Sequence, residues 1–279
     1  MNSHSFRNIE PNFIMDIAGK TILITGADTD IGHAAAVGLA EWGARLALVG
    51  REQSALDATL RMANAEGGDA MTLAGDITDA AWRDEVVDKL CAHFDSPDIL
   101  INCVHGDCAA ALENAAPDDI REQIETNLLA PILLIRAALP GLRQSTTEAA
   151  IVNVTSASGL VGPPCYSASA AARAGLARFG EALRRELAAD DIHVMTVYPI
   201  TAEASLLVSD DVVAHGESTQ SVAEALIAGL QDGATDVVRG GDEFAQLLDL
   251  NHNDARAADE QIRQRWQRRH DHSVGPDST

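Results

Sequence analysis

Short apolar segments rich in β-branched residues alternate along the chain with longer segments of helical periodicity. The segments with strand character cover 21–25, 45–49, 70–74, 99–103, 150–155 and 193–198. Helical periodicity lies between them, over 31–43, 52–66, 79–94, 118–141 and 168–188. Because the strands are apolar on both faces and are separated by helices, we predict an α/β fold with a doubly wound parallel sheet covered on both sides.

No internal repeat or low-complexity linker divides the chain, so we predict a single domain. Its expected limits are 18–250, after an N-terminal extension over 1–17 and before a C-terminal helix and tail over 251–279. The segment SVAEALIAGLQDGATDVVRGG predicts a helix, a turn at Asp232 and Gly233, and a short strand. We expect the last helix to cover 255–269 and the tail to be disordered from about His270.

The last predicted helix is basic in an otherwise acidic chain. Two interpretations stay open: it docks on the acidic surface of a neighbouring subunit, or it is a solvated helix whose arginines favour its C-terminal end. The arginines concerned are Arg256, Arg263, Arg265, Arg268 and Arg269.

The charge balance excludes several classes of partner. The 279 residues include 42 acidic and 20 basic side chains, for a formal net charge of −22. Such a surface repels phosphate backbones and anionic lipid, so we expect neither nucleic acid nor a membrane as partner. The four cysteines form no C-x-x-C pair and the nine histidines no H-x-x-H pair, so no metal site is expected. Without a signal peptide, the expected compartment is the cytoplasm.

The first strand leads into the turn TGADTDIG, which has the form of a phosphate-binding turn. In such turns one glycine permits the bend, another lets the backbone approach a pyrophosphate, and the helix N-terminus faces the phosphates. Gly26 and Gly32 are present, whereas Asp30, just before Ile31, places a negative charge at the middle position. An ordinary strand-to-helix connection is the other interpretation.

Arg51 follows the second strand, nineteen residues after Gly32. An acidic residue at this distance bonds the ribose 2′-hydroxyl of NAD(H), whereas an arginine accommodates the 2′-phosphate of NADP(H). The sequence therefore predicts NADP(H), and the alternative is a solvated arginine at a helix start.

Several ordered motifs together resemble the classical short-chain dehydrogenase/reductase family over roughly residues 18–200. They are TGADTDIG, GRE at 50–52, GDITD at 75–79, DILIN at 98–102, TNLLAPILL at 126–134 and IVNVTSASG at 151–159. The resemblance implies a Rossmann-type fold, a small-molecule substrate and a homo-oligomer, dimer or tetramer. It also implies adenine contacts from Asp76 and Ile77, cofactor contacts from Asn102 and Pro199, a catalytic asparagine at Asn127 and a substrate-binding serine at Ser156.

The chain departs from this family next to the expected nicotinamide. The family's N-N-A-G becomes Asn102, Cys103, Val104 and His105, followed by Gly106. The family's P-G after the sixth strand becomes Pro199 and a β-branched isoleucine.

The catalytic tyrosine and lysine of the family are both replaced. Counting thirteen residues on from Ser156 gives Ser169, and four more give Arg173, directly before the family-like A-G-L at 174–176. We favour this ungapped register. The alternative aligns Tyr166 with the catalytic tyrosine and places Ala170 where the lysine belongs, which requires compensating gaps.

Three functions follow from the broken pair. In the family, the tyrosine exchanges a proton with the substrate oxygen, and the lysine lowers the pKa of the tyrosine while bonding the nicotinamide ribose. A serine hydroxyl is too weak an acid for this work. We therefore expect first an atypical family enzyme that acts on a small organic substrate beside Ser156 and Asn127, with Ser169 and Arg173 in the catalytic register. Its chemistry would be isomerase-, lyase- or cyclase-like, or a hydride transfer with Tyr166 or water as the acid. The alternatives are an NADPH-dependent carbonyl reductase or alcohol dehydrogenase that uses Tyr166, and a catalytically silent binding or scaffold subunit.

Overall fold

Seven parallel strands form one sheet in the computed structural model, which describes residues 15–104, 106–216 and 218–273. The spatial order is β3-β2-β1-β4-β5-β6-β7, which confirms the predicted doubly wound parallel sheet of Rossmann type. The direction of winding reverses between β1 and β4, where this architecture opens a crevice at the carboxyl ends of the strands. The strands are β1 (Thr21–Thr25), β2 (Arg45–Gly50), β3 (Asp69–Ala74), β4 (Ile99–Asn102), β5 (Ala149–Val154), β6 (Ile192–Tyr198) and β7 (Asp236–Val238).

Helices cover both faces of the sheet. They are α1 (Asp30–Glu41), α2 (Gln53–Ala65), α3 (Ala80–Phe94), α4 (Pro117–Ile124), α5 (Ala130–Leu142), α6 (Ser167–Glu186), α7 (Asp210–Gly216), α8 (Thr219–Gln231), α9 (Gly241–Asn253) and α10 (Ala255–Ser273). One apolar core lies between the sheet and α1, α2 and α8, and a second lies between the sheet and α3, α5 and α6. Because both faces are covered, every residue of β1, β4 and β5 is buried.

The six strands predicted from the sequence end within a residue of the observed ones. The helix predicted over 118–141 is interrupted by a π-helical turn, Glu125–Leu129. Helices α7 and α9 were not predicted. Helix α10 ends at Ser273, four residues beyond the predicted end at 269. The expected disorder of the tail stays a prediction. Residues 1–14 and 274–279 lie outside the described part of the chain, and the domain limits 18–250 stay a prediction.

The continuous helical stretch Pro117–Leu142 is long and apolar enough to cross a membrane by length and composition alone. Its buried residues include Leu134, Ile135 and Ala138, which belong to the core beneath α3 and α6. A helix packed in a domain core passes the same test, so this stretch is weak evidence for a membrane span.

Helix α10 packs on its own chain. Ala258 and Ile262 are buried in a third apolar cluster together with Phe244 and Leu247 of α9. Arg265 donates to the carbonyl of Leu207 and pairs with Glu243 at 2.5 Å, and Arg269 donates to Ser205 and pairs with Asp210 at 2.6 Å. These two arginines therefore hold the segment after β6 of their own chain. Docking of the helix on a neighbouring subunit stays a prediction.

Candidate active site

A cleft of about 430 Å³ opens at the carboxyl ends of the strands. The N-terminus of α1 and the loops that follow β4 and β6 form its walls. Its lining consists of Thr29, Asp30, Ile31, Asp107, Pro199, Ile200, Thr201, Ala202, Thr219 and Val222. The lining therefore combines hydroxyls and carboxylates with apolar side chains.

The turn before α1 needs both of its glycines. Gly26 has φ +68°, and a Cβ there would lie 2.7 Å from the carbonyl oxygen of Cys103. A Cβ on Gly32 would overlap the backbone carbonyl of Gly26. Thr29 caps α1, because its hydroxyl accepts from the amide of Gly32 at 3.3 Å and donates to the carbonyl of Gly26 at 2.7 Å. The backbone frame of a phosphate-binding turn is thus present, with Asp30 exposed at its centre.

The turn after β2, where an adenosine ribose is expected, is held by a carboxylate. Asp28 accepts hydrogen bonds from the amides of Arg51 and Glu52, at 2.8 and 3.0 Å. A Cβ on Gly50 would overlap this carboxylate, so the glycine is needed for the approach. The side chain of Arg51 is exposed beside this negative charge.

The predicted adenine contacts lie at the end of β3. Asp76 accepts from the amide and the hydroxyl of Thr78, both at 2.8 Å, and so closes its own turn. Ile77 is buried, and its carbonyl accepts a hydrogen bond from Arg83 at 2.5 Å.

Asn102, at the end of β4, lies under the surface of the cleft. Its Nδ2 donates to Oδ1 of Asn153 at 3.0 Å, and only 2% of the residue is exposed. Asn102 Oδ1 and Asn153 Nδ2 are buried without a hydrogen-bond partner among the described residues. The structure therefore places Asn102 between two strands, and no atom of it lines the cleft.

Asn127 lies in the π-helical turn between α4 and α5 and fixes the loop after β4. Its Nδ2 donates to the carbonyl of Gly106 at 2.8 Å, and its Oδ1 accepts from the Gly106 amide at 3.0 Å. π-Helical turns recur at functional sites. Here the side chain positions the residue that follows Gly106, which is Asp107. His105 lies outside the described residues.

Ser156 is fully buried behind Thr201. The two hydroxyls lie 2.7 Å apart, and Ser156 Oγ also accepts from the amide of Ser158 at 3.1 Å. Because Thr201 lines the cleft, Ser156 reaches it only through the hydroxyl of Thr201.

Ser169 and Arg173 lie one turn apart on the buried face of α6, and each is 1% exposed. A Cβ on Gly159 would lie 3.0 Å from the backbone of Arg173, so this glycine lets the loop after β5 pack directly on the helix. That packing brings the carbonyl of Thr155 within 3.1 Å of the Arg173 guanidinium. The ungapped register predicted from the sequence corresponds to these two positions.

Two carboxylates surround the guanidinium of Arg173. It pairs with Asp107 and with Glu203, each at 2.6 Å, and its Nε donates to Ser169 at 3.2 Å. Glu203 is 0% exposed and also accepts from Ser158 at 2.8 Å. A buried arginine needs such partners, because an uncompensated buried charge costs several kcal/mol. Its hydrogen-bonding capacity is therefore directed at this chain's own groups.

Burial, followed by a hydrogen bond with the Asp107 carboxyl, raises the pKa of Glu203 to about 7 against the opposing charge of Arg173. Two carboxyl groups within hydrogen-bond distance cannot both ionise easily, so one proton is retained between them. Near neutral pH the cluster of Asp107, Arg173 and Glu203 thus carries a titratable proton.

Tyr166 precedes α6 and is half-buried next to this cluster. Burial raises its pKa, and the charges of Glu203 and Asp107 raise it further. A tyrosine that exchanges protons with a substrate near neutral pH needs a lowered pKa. The hydroxyl of Tyr166 has no hydrogen-bond partner among the described residues.

The structure thus brings together Ser156, Ser169, Arg173 and Tyr166, and it adds three residues that sequence reasoning missed. They are Asp107, Thr201 and Glu203. Two features bear on the carboxylates, although one of them needs the sheet order. Asp107 and Glu203 each follow, by five residues, the carboxyl end of a strand next to β5, and an arginine within the apolar run 170–177 requires a carboxylate partner.

The residues fit only part of NADP(H), the cofactor that the resemblance implies. The glycine turn and the N-terminus of α1 suit a pyrophosphate, although Asp30 opposes its charge. The nicotinamide half does not fit, because the guanidinium that would bond its ribose is paired with two carboxylates, and Asp107 enters the cleft.

Comparison with known proteins gives a consistent result. The family model for short chain dehydrogenase matches residues 20–210. A ketoacyl reductase HetN from Nostoc sp. is 30% identical over 83% of this chain and 82% of its own length. The structure of a dehydrogenase/reductase from Sinorhizobium meliloti superposes with a TM-score of 0.72, at 26% identity, over 81% of this chain and 96% of that one. NAD⁺-bound xylitol dehydrogenase superposes with a TM-score of 0.63, at 26% identity, over 66% of this chain and 71% of that one.

Proposed function

The chain belongs to the short-chain dehydrogenase/reductase family, whose members are oxidoreductases that use NAD(P)(H), and we propose that this member catalyses a non-redox reaction instead of hydride transfer. The chemistry is a proton transfer of the isomerase, lyase or cyclase type on a small organic substrate. The cleft beside Asp107 and Thr201 is the place for that substrate, since its volume is in the range of small-molecule sites.

The environment of Arg173 carries this proposal. Hydride transfer in the family needs a cation that bonds the nicotinamide ribose and lowers the pKa of a tyrosine. Arg173 holds two carboxylates instead, and the residue one turn before it is a serine. Losing a general acid costs on the order of 10² to 10⁴ in rate. The same three charged groups provide a proton donor and acceptor for chemistry that needs no hydride.

An NADPH-dependent carbonyl reductase that uses Tyr166 is the second candidate. The position of Tyr166 next to the cluster favours it, and so does the ketoacyl reductase from Nostoc sp. among the relatives. In this case Arg51 would select NADP(H) through its exposed side chain. The raised pKa of Tyr166 weighs against it, because it makes the hydroxyl a poorer acid.

The remaining expectations from the sequence are also proposals. We propose that the protein is a cytoplasmic homo-oligomer. We also propose that it binds neither nucleic acid nor membranes, because its net charge of −22 repels both polyanions and anionic lipid. Size measurement in solution and localisation in cells test them directly.

Turnover assays separate the two enzymatic candidates. Purified protein is incubated with NADPH or NADH and a panel of ketones and aldehydes, beside the variant Tyr166→Phe. We expect no dinucleotide-dependent reduction by either protein. Reduction at ordinary rates that Tyr166→Phe abolishes would refute the non-redox proposal and establish the reductase. A protein without any turnover, in which Ser156→Ala changes nothing but partner capture persists, would point to the silent binding subunit.

A further inference from the structure

We propose that Asp107 and Glu203 form the acid–base pair of the cleft, and that its substrate is an uncharged or cationic carbonyl compound with an acidic C–H bond. The inference rests on the proposed non-redox function. Asp107 is the catalytic residue, because it lines the cleft. Glu203 is a positioning residue, because it is 0% exposed and acts on Asp107 through the shared proton and through Arg173.

The geometry of the sheet assembles the pair. Asp107 comes from the loop after β4 and Glu203 from the loop after β6, the two neighbours of β5. Parallel strands end at the same edge, so the two loops meet there, and Arg173 of α6 lies between their carboxylates at 2.6 Å from each. Ser169 donates to Asp107 at 3.4 Å and Ser158 to Glu203 at 2.8 Å. Each carboxylate therefore has a fixed orientation before any substrate binds.

The charges of the cluster favour one stored proton. Two ionised carboxylates and one guanidinium leave a net negative charge in a buried place, and a single proton makes the cluster neutral. Burial and the Asp107 carboxyl favour the proton on Glu203, whereas the charge of Arg173 and the hydrogen bond from Ser158 oppose it. Tyr166, whose pKa is raised, adds no charge near neutral pH. The proton resides on Glu203, which is the more buried carboxyl, and this leaves Asp107 as the base.

The step that this arrangement supports is a proton shift along a carbonyl compound. An Asp107 carboxylate oxygen takes a proton from the carbon next to the carbonyl, so that the C–H bond breaks and an O–H bond forms. The electron pair moves into an enolate. The cluster has then gained one positive charge, which opposes the enolate charge. Asp107 returns the proton to the same carbon or to a conjugated one, so atoms and electrons balance without an oxidant or a reductant.

The lining of the cleft limits the charge of the substrate. Among the described residues that line it, the charged side chains are Asp30 and Asp107, both acidic. An anionic carbonyl compound would meet repulsion from both. An uncharged or cationic one would not.

Direct titration of the carboxyl groups tests the pair without knowledge of the substrate. The full chain is labelled with ¹³C at Asp and Glu side-chain carboxyls and titrated by NMR, beside Glu203→Gln, Asp107→Asn and the surface control Glu85→Gln. We expect one carboxyl signal to titrate near pH 7 in the wild type and in the control, and to disappear from that range in the other two variants. Full ionisation of every carboxyl by pH 5.5 would overturn the proposal, and this result needs no variant to fold.

Exchange of carbon-bound hydrogen tests the catalytic role. Cyclohexanone and cyclohex-3-enone are incubated with the protein in D₂O, with acetoacetate as anionic comparator. We expect α-deuteration to be accelerated by roughly 10²-fold or more over buffer, to be lost in Asp107→Asn, and to change its pH profile in Glu203→Gln. The acceleration relative to each compound's own buffer rate should be smaller for acetoacetate than for the two uncharged ketones. Exchange at the buffer rate, or exchange unaffected by Asp107→Asn, would overturn the role of the pair, whereas dinucleotide-dependent reduction would instead refute the non-redox function.

Discussion

At the scale of single residues, Arg173 organises the candidate site. A guanidinium with 2% of its side chain exposed, between two carboxylates, is tolerated because its neighbours satisfy it. Its removal would leave two carboxyl groups facing each other without a counter-charge. The predicted effects on stability and on proton transfer follow from the ion pairs of Arg173 with Asp107 and Glu203.

Replacing Arg173 by alanine should destabilise the fold strongly. We expect Arg173→Ala to lower the free energy of unfolding by about 3 to 5 kcal/mol, since breaking a buried pair leaves an uncompensated charge. The matched control is Arg178→Ala on the same helix, because Arg178 is an exposed side chain that pairs with Glu181. Such surface pairs contribute about 0 to 1 kcal/mol. Urea denaturation measures both, and equal effects would contradict the buried ion pair.

The raised pKa of Glu203 makes stability depend on pH in a defined direction. The pKa of Glu203 is 4.5 in the unfolded chain and about 7 in the folded protein, so between these pH values the folded state binds the proton more tightly. The contribution of Glu203 is therefore fully present below pH 4.5 and is lost as pH rises towards 7.

Urea denaturation across pH 5 to 8 checks this direction. Wild type should lose stability on the order of 1 to 3 kcal/mol relative to Glu203→Gln over this range. A difference that stays constant with pH would show that Glu203 is ionised throughout.

The positions of Ser169 and Arg173 in the candidate site could be predicted from the sequence, because their spacing from Ser156 needs no gap. Asp107 and Glu203 could not, because they lie outside the motifs, in loops whose course depends on tertiary contacts. Only the sheet order places the loop after β4 opposite the loop after β6.

At the scale of elements, the strands and the helices that cover them followed from apolar patterning, since burial on both faces leaves a continuous apolar run. The π-helical turn Glu125–Leu129 and helices α7 and α9 did not. The π-helical turn has ordinary helical periodicity in the sequence. Helix α9 buries mainly Phe244 and Leu247, which is too few positions to stand out in a polar segment.

Helix α10 controls the position of Glu203 through the segment 204–210. Arg265 and Arg269 hold that segment, which begins directly after Glu203. In the double variant Arg265→Ala/Arg269→Ala, we expect faster amide hydrogen exchange over 204–213 and a lower apparent pKa of Glu203, because the carboxyl becomes better solvated. The control Arg268→Ala should change neither, since Arg268 donates only to the backbone of its own helix, at Gln264, among the described contacts.

At the scale of the whole molecule, the net charge of −22 opposes compaction. Salt screens this repulsion, with a Debye length of about 10 Å at 0.1 M and about 3 Å at 1 M. We therefore expect the melting temperature to rise between low salt and 1 M NaCl, as scanning calorimetry would show. A melting temperature that falls over this range would mean that attractive surface pairs outweigh the global repulsion.

Acidic groups also outnumber cations in and around the cleft: Asp30 and Asp107 line it, and Asp28 and Glu203 lie behind its walls, against the two cations Arg51 and Arg173. Arg173 pairs with the carboxylates of Asp107 and Glu203, and we expect that it therefore does not bind a nicotinamide ribose. Calorimetric titration of the wild-type protein with NADPH beside 2′-phospho-ADP-ribose, and with NADH beside ADP-ribose, measures what the nicotinamide half adds to the affinity. We predict that each dinucleotide binds no more tightly than its matched fragment, so that the nicotinamide half adds no affinity. Binding of NADPH that is at least tenfold tighter than binding of 2′-phospho-ADP-ribose would contradict this role of Arg173.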